Sequence, residues 1–178
     1  YVVFTFGEMI IALSGYFEGP VTANLIYYSL MSFLIVVGLF LSYGLLYDWI
    51  IDREKQTNGL GYMVIHIFLI FTLNNITASL EFMREPEVAL LPKVLFITAS
   101  LALYYVFLFA TVPYAKNRLL NNRRFVLTIV GLTVVFAVLM ILLRANMLAN
   151  IAISVVYVYA VFLMVYYFSR YVNGGCAE

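Results

Sequence analysis

An all-α, polytopic transmembrane helix bundle of about six segments, the first of them truncated, is the fold class this sequence predicts. Three observations carry that expectation. Of 178 residues, 65% are hydrophobic and only 11% charged, against roughly a quarter charged in a soluble domain. The apolar residues form continuous runs near 1–14, 22–47, 60–82, 90–112, 125–143 and 147–169, mostly close to the ~20 residues that cross a bilayer as a helix. Pro, Gly, Asn and charged residues gather in the gaps between the runs, as they do in loops of multi-pass proteins.

Taken in order, the first run, Tyr1 to Ser14, falls short of the ~20 residues of a full span. It leads straight into Gly15-Tyr-Phe-Glu-Gly-Pro20 and lacks the basic n-region and cleavage site of a signal peptide. It is therefore expected to be the end of a helix that starts upstream, and residues 1–178 a single transmembrane domain, a fragment of a longer protein. The second run carries Gly38-Leu-Phe-Leu-Ser42, a small-xxx-small spacing that predicts close helix packing. The third is the most polar, and the fourth is apolar and aromatic. Only Arg144-Ala-Asn146 separates the fifth and sixth, which leaves either a tight hairpin or one long bent element. Membrane-barrel strands would alternate apolar and polar residues over about ten positions, and these runs do not.

Alternate gaps hold unequal numbers of basic residues. Arg53, Lys55, Lys116, Arg118, Arg123, Arg124 and Arg170 fall on one side, and Arg84, Lys93 and Arg144 on the other. The positive-inside rule then predicts an inner-membrane protein with the 48–59 loop, the 113–124 loop and the C-terminus in the cytoplasm, Trp49, Tyr47, Tyr167 and Tyr171 lying in the aromatic belts. The 115–124 stretch is either a topology signal or an attraction for anionic lipid.

Several function classes drop out. A net charge of +1 gives no nucleic-acid footprint, so the lipid bilayer is the expected partner, together with missing N-terminal helices or a second subunit. The lone Cys176 cannot form an intramolecular disulfide, and clustered metal ligands are missing. There is no Gly-rich phosphate loop, His-Glu-x-x-His or Gly-x-Ser-x-Gly. No cofactor, metal or catalytic residue is expected.

What stands out is Glu8, an ionisable group inside an apolar run. A charge near the bilayer centre costs roughly 2.5–3.5 kcal/mol on insertion scales, so it normally faces a partner, a cavity or a transport path. By helical spacing Glu8 shares a face with Thr5, Ala12 and Gly15, a small-residue stripe that predicts this face turns into the bundle. On the third run His66, Asn74, Thr77 and Glu81 fall within about an 80° arc, with Thr72, Asn75 and Ser79 on the far side. A helix polar on two sides is expected to sit centrally. Counting 1.5 Å per residue from an outer boundary near Gly15 and Met83 puts Glu8 about 10 Å deep, Asn74 and Asn75 about 12–13 Å and His66 about 25 Å. The matching depths predict a hydrogen bond from Glu8 to Asn74 or Asn75. His66 is either a packing residue or a proton relay, and the sequon Asn75-Ile76-Thr77 is chance within a span.

The stretch Phe4-Thr-Phe-Gly-Glu8-Met-Ile-Ile-Ala-Leu13 resembles the Leu-Gly-Glu signature of the bacterial low-temperature-requirement A (LtrA) family. The resemblance continues through Tyr43 to Asp48, which approximates an aromatic-Phe-Asp pattern, a charged loop, and a helix opening Gly61-Tyr-Met-Val-Ile-His66. It covers roughly residues 1–83. Phe6 stands where that family favours Leu and Tyr47 where it favours Phe, and the charged residues that usually precede the signature are missing. The resemblance implies the C-terminal part of a longer multi-pass protein, with Glu8 and His66 at matched positions, and names no substrate.

Together these features predict a multi-pass inner-membrane protein that moves a small solute or ion, with Glu8, His66, Asn74, Asn75, Thr77 and Glu81 as binding or proton-relay candidates. The alternative is a structural or assembly subunit whose polar groups only pack helices. A membrane enzyme acting on lipid-like substrates is a weaker third reading, because paired carboxylates on one helix are missing.

Overall fold

The computed structural model describes residues 1–15, 22–47, 59–85, 87–114 and 123–174. Among them the chain is all helical: α1 (Val2–Ser14), α2 (Ala23–Leu45), α3 (Gly59–Arg84), α4 (Leu90–Ala110), a 3-10 turn at Val112–Tyr114, α5 (Arg123–Leu142) and α6 (Met147–Gly174). Helices α2 to α6 are long and apolar enough to cross a membrane, and α1 is a shorter apolar helix of 13 residues. The six expected segments are these six helices. Asp48, Trp49, Asp52, Arg53, Lys55, Lys116, Arg118, Cys176 and the Tyr16–Pro20 linker lie outside the described residues.

Local chemistry starts and stops each helix. Thr22 is extended (φ −113°, ψ 158°) and its hydroxyl accepts from the Leu25 amide at 3.2 Å, which satisfies one of the four orphan donors that open α2. Asn146 does the same for α6 through the Ala149 amide at 3.2 Å. It closes the turn at Leu143–Ala145, so the fifth and sixth runs form a tight hairpin and not a single bent element. Pro92 sits in the first turn of α4, where its missing N–H has no helical acceptor to lose. Across the short link before α4, the buried Lys93 ammonium donates back to the Glu85 carbonyl, a cation placed against the open carbonyls that end α3.

The buried positions recur three and four apart, as a helix with one inward face requires. On α3 they are Leu69, Thr72, Leu73, Ile76, Ser79, Leu80 and Met83, and on α6 Asn150, Ile151, Ser154, Tyr157, Val158, Val161 and Val165. The inward faces close a ring: α1 packs on α2 and α3, α3 on α4, α4 on α5, α5 on α6, and α6 back on α2. Tyrosines of α4 reach across it. The Tyr104 hydroxyl donates to the Leu39 carbonyl at 2.9 Å, and Tyr105 donates to the Val158 carbonyl at 3.3 Å while lying 3.5 Å from the Ser42 hydroxyl. Phe136 stacks on Tyr157 with ring centres 4.1 Å apart, and Tyr157 meets the Thr133 hydroxyl at 3.0 Å, which joins α5 to α6.

Two stability effects of opposite sign follow. Tyr104→Phe removes an interhelical hydrogen bond and keeps the ring, so it is expected to lower stability by about 0.6 kcal/mol, with ~1.7 as a ceiling. The buried Asn150 carboxamide oxygen has no partner, and its nitrogen finds only the Met147 sulfur at 3.9 Å. Asn150→Leu removes a poorly satisfied polar group of similar volume and is expected to be neutral or stabilising. Unfolding in mixed micelles measures both.

Candidate functional site

The helix that carries Glu8 turns its Val2, Thr5, Phe6, Met9 and Leu13 inward. Phe6 meets Phe40 and Tyr43 of α2, at 5.4 and 6.3 Å between ring centres, and so marks the α2 edge of that face. Thr5 and Ala12 lie on the opposite edge, towards α3, by helical spacing. Glu8 falls beyond that edge and is exposed. The expectation that the Thr5, Glu8, Ala12 and Gly15 stripe enters the bundle as a unit is therefore corrected. Bulky Phe6, Met9 and Leu13 carry the packing of α1, and their stripe leaves Glu8 outside. Thr5 is buried, but its hydroxyl bonds the Tyr1 carbonyl of its own helix at 3.2 Å.

On α3, His66 marks the side towards α1 and α2. The ring is half-buried, with Nδ1 2.8 Å from the Tyr62 carbonyl and Nε2 3.3 Å from the Tyr43 hydroxyl. A carbonyl only accepts, so Nδ1 carries the proton and, in the neutral ring, Nε2 accepts from Tyr43. Phe68 and Phe82, against Phe107 and Phe96, mark the side towards α4. Asn74 is exposed on the outward face on the α1 side, and half-buried Asn75 lies on the α4 side.

No hydrogen bond joins Glu8 to Asn74 or Asn75 among the described residues, which corrects the expected pairing: Asn75 points round the wrong side of α3, and Glu8 and Asn74 both face outward.

The other polar residues of α3 do not converge. Thr72, Thr77 and Ser79 donate to carbonyls of their own helix, at Leu69, Leu73 and Ile76 respectively, over 2.7–3.1 Å. Glu81 is exposed. A hydroxyl satisfied by its own helix in this way offers little to a ligand. The arc of His66, Thr77, Glu81 and Asn74 runs from the inner edge of α3 to its outer face, so α3 has α1 and α4 on its two flanks but does not sit centrally as expected. Among the described residues no group of three His, Cys, Asp or Glu could hold a metal ion.

Tyr43 was not singled out from the sequence as a partner of His66. Its signal was the Tyr43-x-x-x-Tyr47 spacing at the end of α2, two rings that stack 6.0 Å apart on one face and turn it towards the helix that opens with the histidine. What stands out among the described residues is the Tyr43–His66 pair and the outward carboxylate of Glu8. Comparison with protein-family models, curated proteins and solved structures found no match.

Proposed function

We propose that this chain is a multi-pass inner-membrane protein that takes part in moving a small solute or ion, with Glu8 as the group that binds cargo or exchanges a proton. One observation carries the reading: Glu8 lies within an apolar helix of the bundle, exposed, while the buried hydroxyls of Thr72, Ser79 and Tyr104 close their hydrogen bonds on their own helices or on a neighbouring one. A carboxylate kept at that cost without a partner among the described residues is available for exchange. His66 serves as a relay, with the Tyr62 carbonyl holding the Nδ1 proton and leaving Nε2 to Tyr43. The resemblance of residues 1–83 to the LtrA family supports Glu8 and His66 as the matched positions, and the excess of basic residues in alternate loops supports a cytoplasmic C-terminus.

The tyrosine bonds across the ring support a second reading, a structural or assembly subunit. Flux separates the two. Vesicles containing the purified protein and a pH-sensitive dye are challenged with a panel of small ions and solutes. The transport reading expects flux with the parent and none with Glu8→Gln. No flux with the parent, or equal flux with both, favours the assembly reading.

A further inference from the structure

We propose that the groove between α4 and α5 holds an acyl chain of one anionic phospholipid, with the Arg123 guanidinium on its phosphate. The walls set the first condition. Val106 and Phe109 of α4 and Phe125 and Val130 of α5 line a groove of about 300 Å³, open to the outside of the bundle, where Val106 and Val130 are 60% and 54% exposed. Its two polar side chains are already satisfied: Tyr105 donates to the Val158 carbonyl, and Thr133 donates to the Ile129 carbonyl and so accepts from Tyr157. The groove therefore asks for an apolar occupant. From Phe125 to Val134 it runs about 14 Å at 1.5 Å per residue, which makes it roughly 5 Å wide, room for an extended hydrocarbon chain and not for a helix ~10 Å across.

Charge enters at one end. Arg123 opens the spanning helix α5, and it stands three, seven and eleven residues before Val126, Val130 and Val134, all of which line the groove. That spacing puts it on the groove side of α5. A helical arginine reaches back beyond its own Cα towards the N-terminus and lays its stem along apolar surface, which brings the guanidinium to headgroup level. Arg124 lies about 100° further round the helix, away from the groove. No carboxylate on these helices can neutralise Arg123. From residue 88 to residue 177 every charged side chain is basic, and that stretch contains α4, α5 and α6, the two helices on which α5 packs included. An exposed arginine at the mouth of an apolar groove, with no acid on its own or adjoining helices, is complementary to a phosphate that carries an acyl chain. A zwitterionic headgroup brings its own ammonium, so the lipid with net negative charge is preferred.

The purified chain in mixed micelles is given phosphatidylglycerol or phosphatidylcholine with the same acyl chains, and native mass spectrometry reads the lipid retained per copy. The parent is expected to keep one phosphatidylglycerol and to release phosphatidylcholine. Arg123→Gln is expected to retain phosphatidylglycerol about fivefold more weakly, whereas Arg124→Gln, with the same change of net charge, binds as the parent does. Val130→Trp fills the groove from its open side and leaves Arg123 in place, so it is expected to lose the lipid while unfolding at the parental temperature. Inorganic phosphate in excess is expected to displace nothing, because the acyl chain supplies the groove contacts. Equal retention of the two lipids by the parent would overturn the proposal, as would equal losses in Arg123→Gln and Arg124→Gln. Retention unchanged by Val130→Trp, or lost to inorganic phosphate alone, would overturn it too.

Discussion

Gly38→Leu is expected to abolish the folded bundle. A Cβ built on Gly38 lies 2.5 Å from Val158 Cγ1 and 3.2 Å from the Tyr159 ring, so even an alanine overlaps a neighbour on α6. Val158 is fully buried and cannot swing away into free space. Nor can the helices separate cheaply. The Ser42 hydroxyl, one turn along α2, bonds the Gly38 carbonyl at 2.8 Å and faces Tyr105, which also holds the Val158 carbonyl. Overpacking of this kind costs about 1–3 kcal/mol for small additions, and Gly38→Ala falls in that range. Leucine adds three more carbons at the same contact and exceeds it. Stability in mixed micelles and the yield of monodisperse protein measure the loss. Gly131→Leu is the control, because nothing lies within 4 Å of a Cβ there, and it should behave as the parent. Equal stability for Gly38→Leu and Gly131→Leu would mean that α2 and α6 do not meet at Gly38.

Glu8→Gln has the second large effect, on flux rather than folding. Glutamine keeps the shape and the hydrogen-bonding capacity of the side chain and removes the ionisable group. Because Glu8 is exposed and bonds no side chain among the described residues, the variant should fold as the parent does, while transport falls to the level of empty vesicles. Glu8→Asp keeps the charge and shortens the reach, and should retain part of the flux. A Glu8→Gln protein that fails to fold would instead mark a structural carboxylate, as the assembly reading holds.

Much of the fold was legible because bilayer thickness and the lack of water in hydrocarbon leave few options for a chain of apolar runs. The helix limits follow the runs to within a few residues, apart from the last helix, which continues to Gly174 beyond Tyr167 and Phe168 into a more polar end. The small-xxx-small spacing at Gly38 and Ser42 pointed correctly to close packing, here of α2 against α6. The orientation of α1 was not legible. Glu8, Thr5 and Ala12 do share an edge of that helix, but the sequence does not say which edge the neighbours occupy, and three large side chains at Phe6, Met9 and Leu13 decide it. The partner of His66 was hidden for a related reason. Tyr43 lies 23 residues away along the chain, and only the fold, which brings the start of α3 back near the end of α2, puts it within reach. The hydroxyls of Thr72, Thr77 and Ser79 looked like a polar face by spacing, although each is closed on its own backbone, which periodicity alone does not reveal.

The proposed transport role rests on Glu8 facing out of the bundle, and spin labels along α1 test that most directly. Single cysteines are placed at positions 4 to 13 in a Cys176→Ser background, in nanodiscs holding one copy each, and collision with dissolved oxygen is measured. Maxima at Phe4, Glu8 and Ile11, with minima at Phe6, Met9 and Leu13, are expected. A pattern turned so that positions 5, 8 and 12 are the most protected would put Glu8 inside the bundle and contradict it.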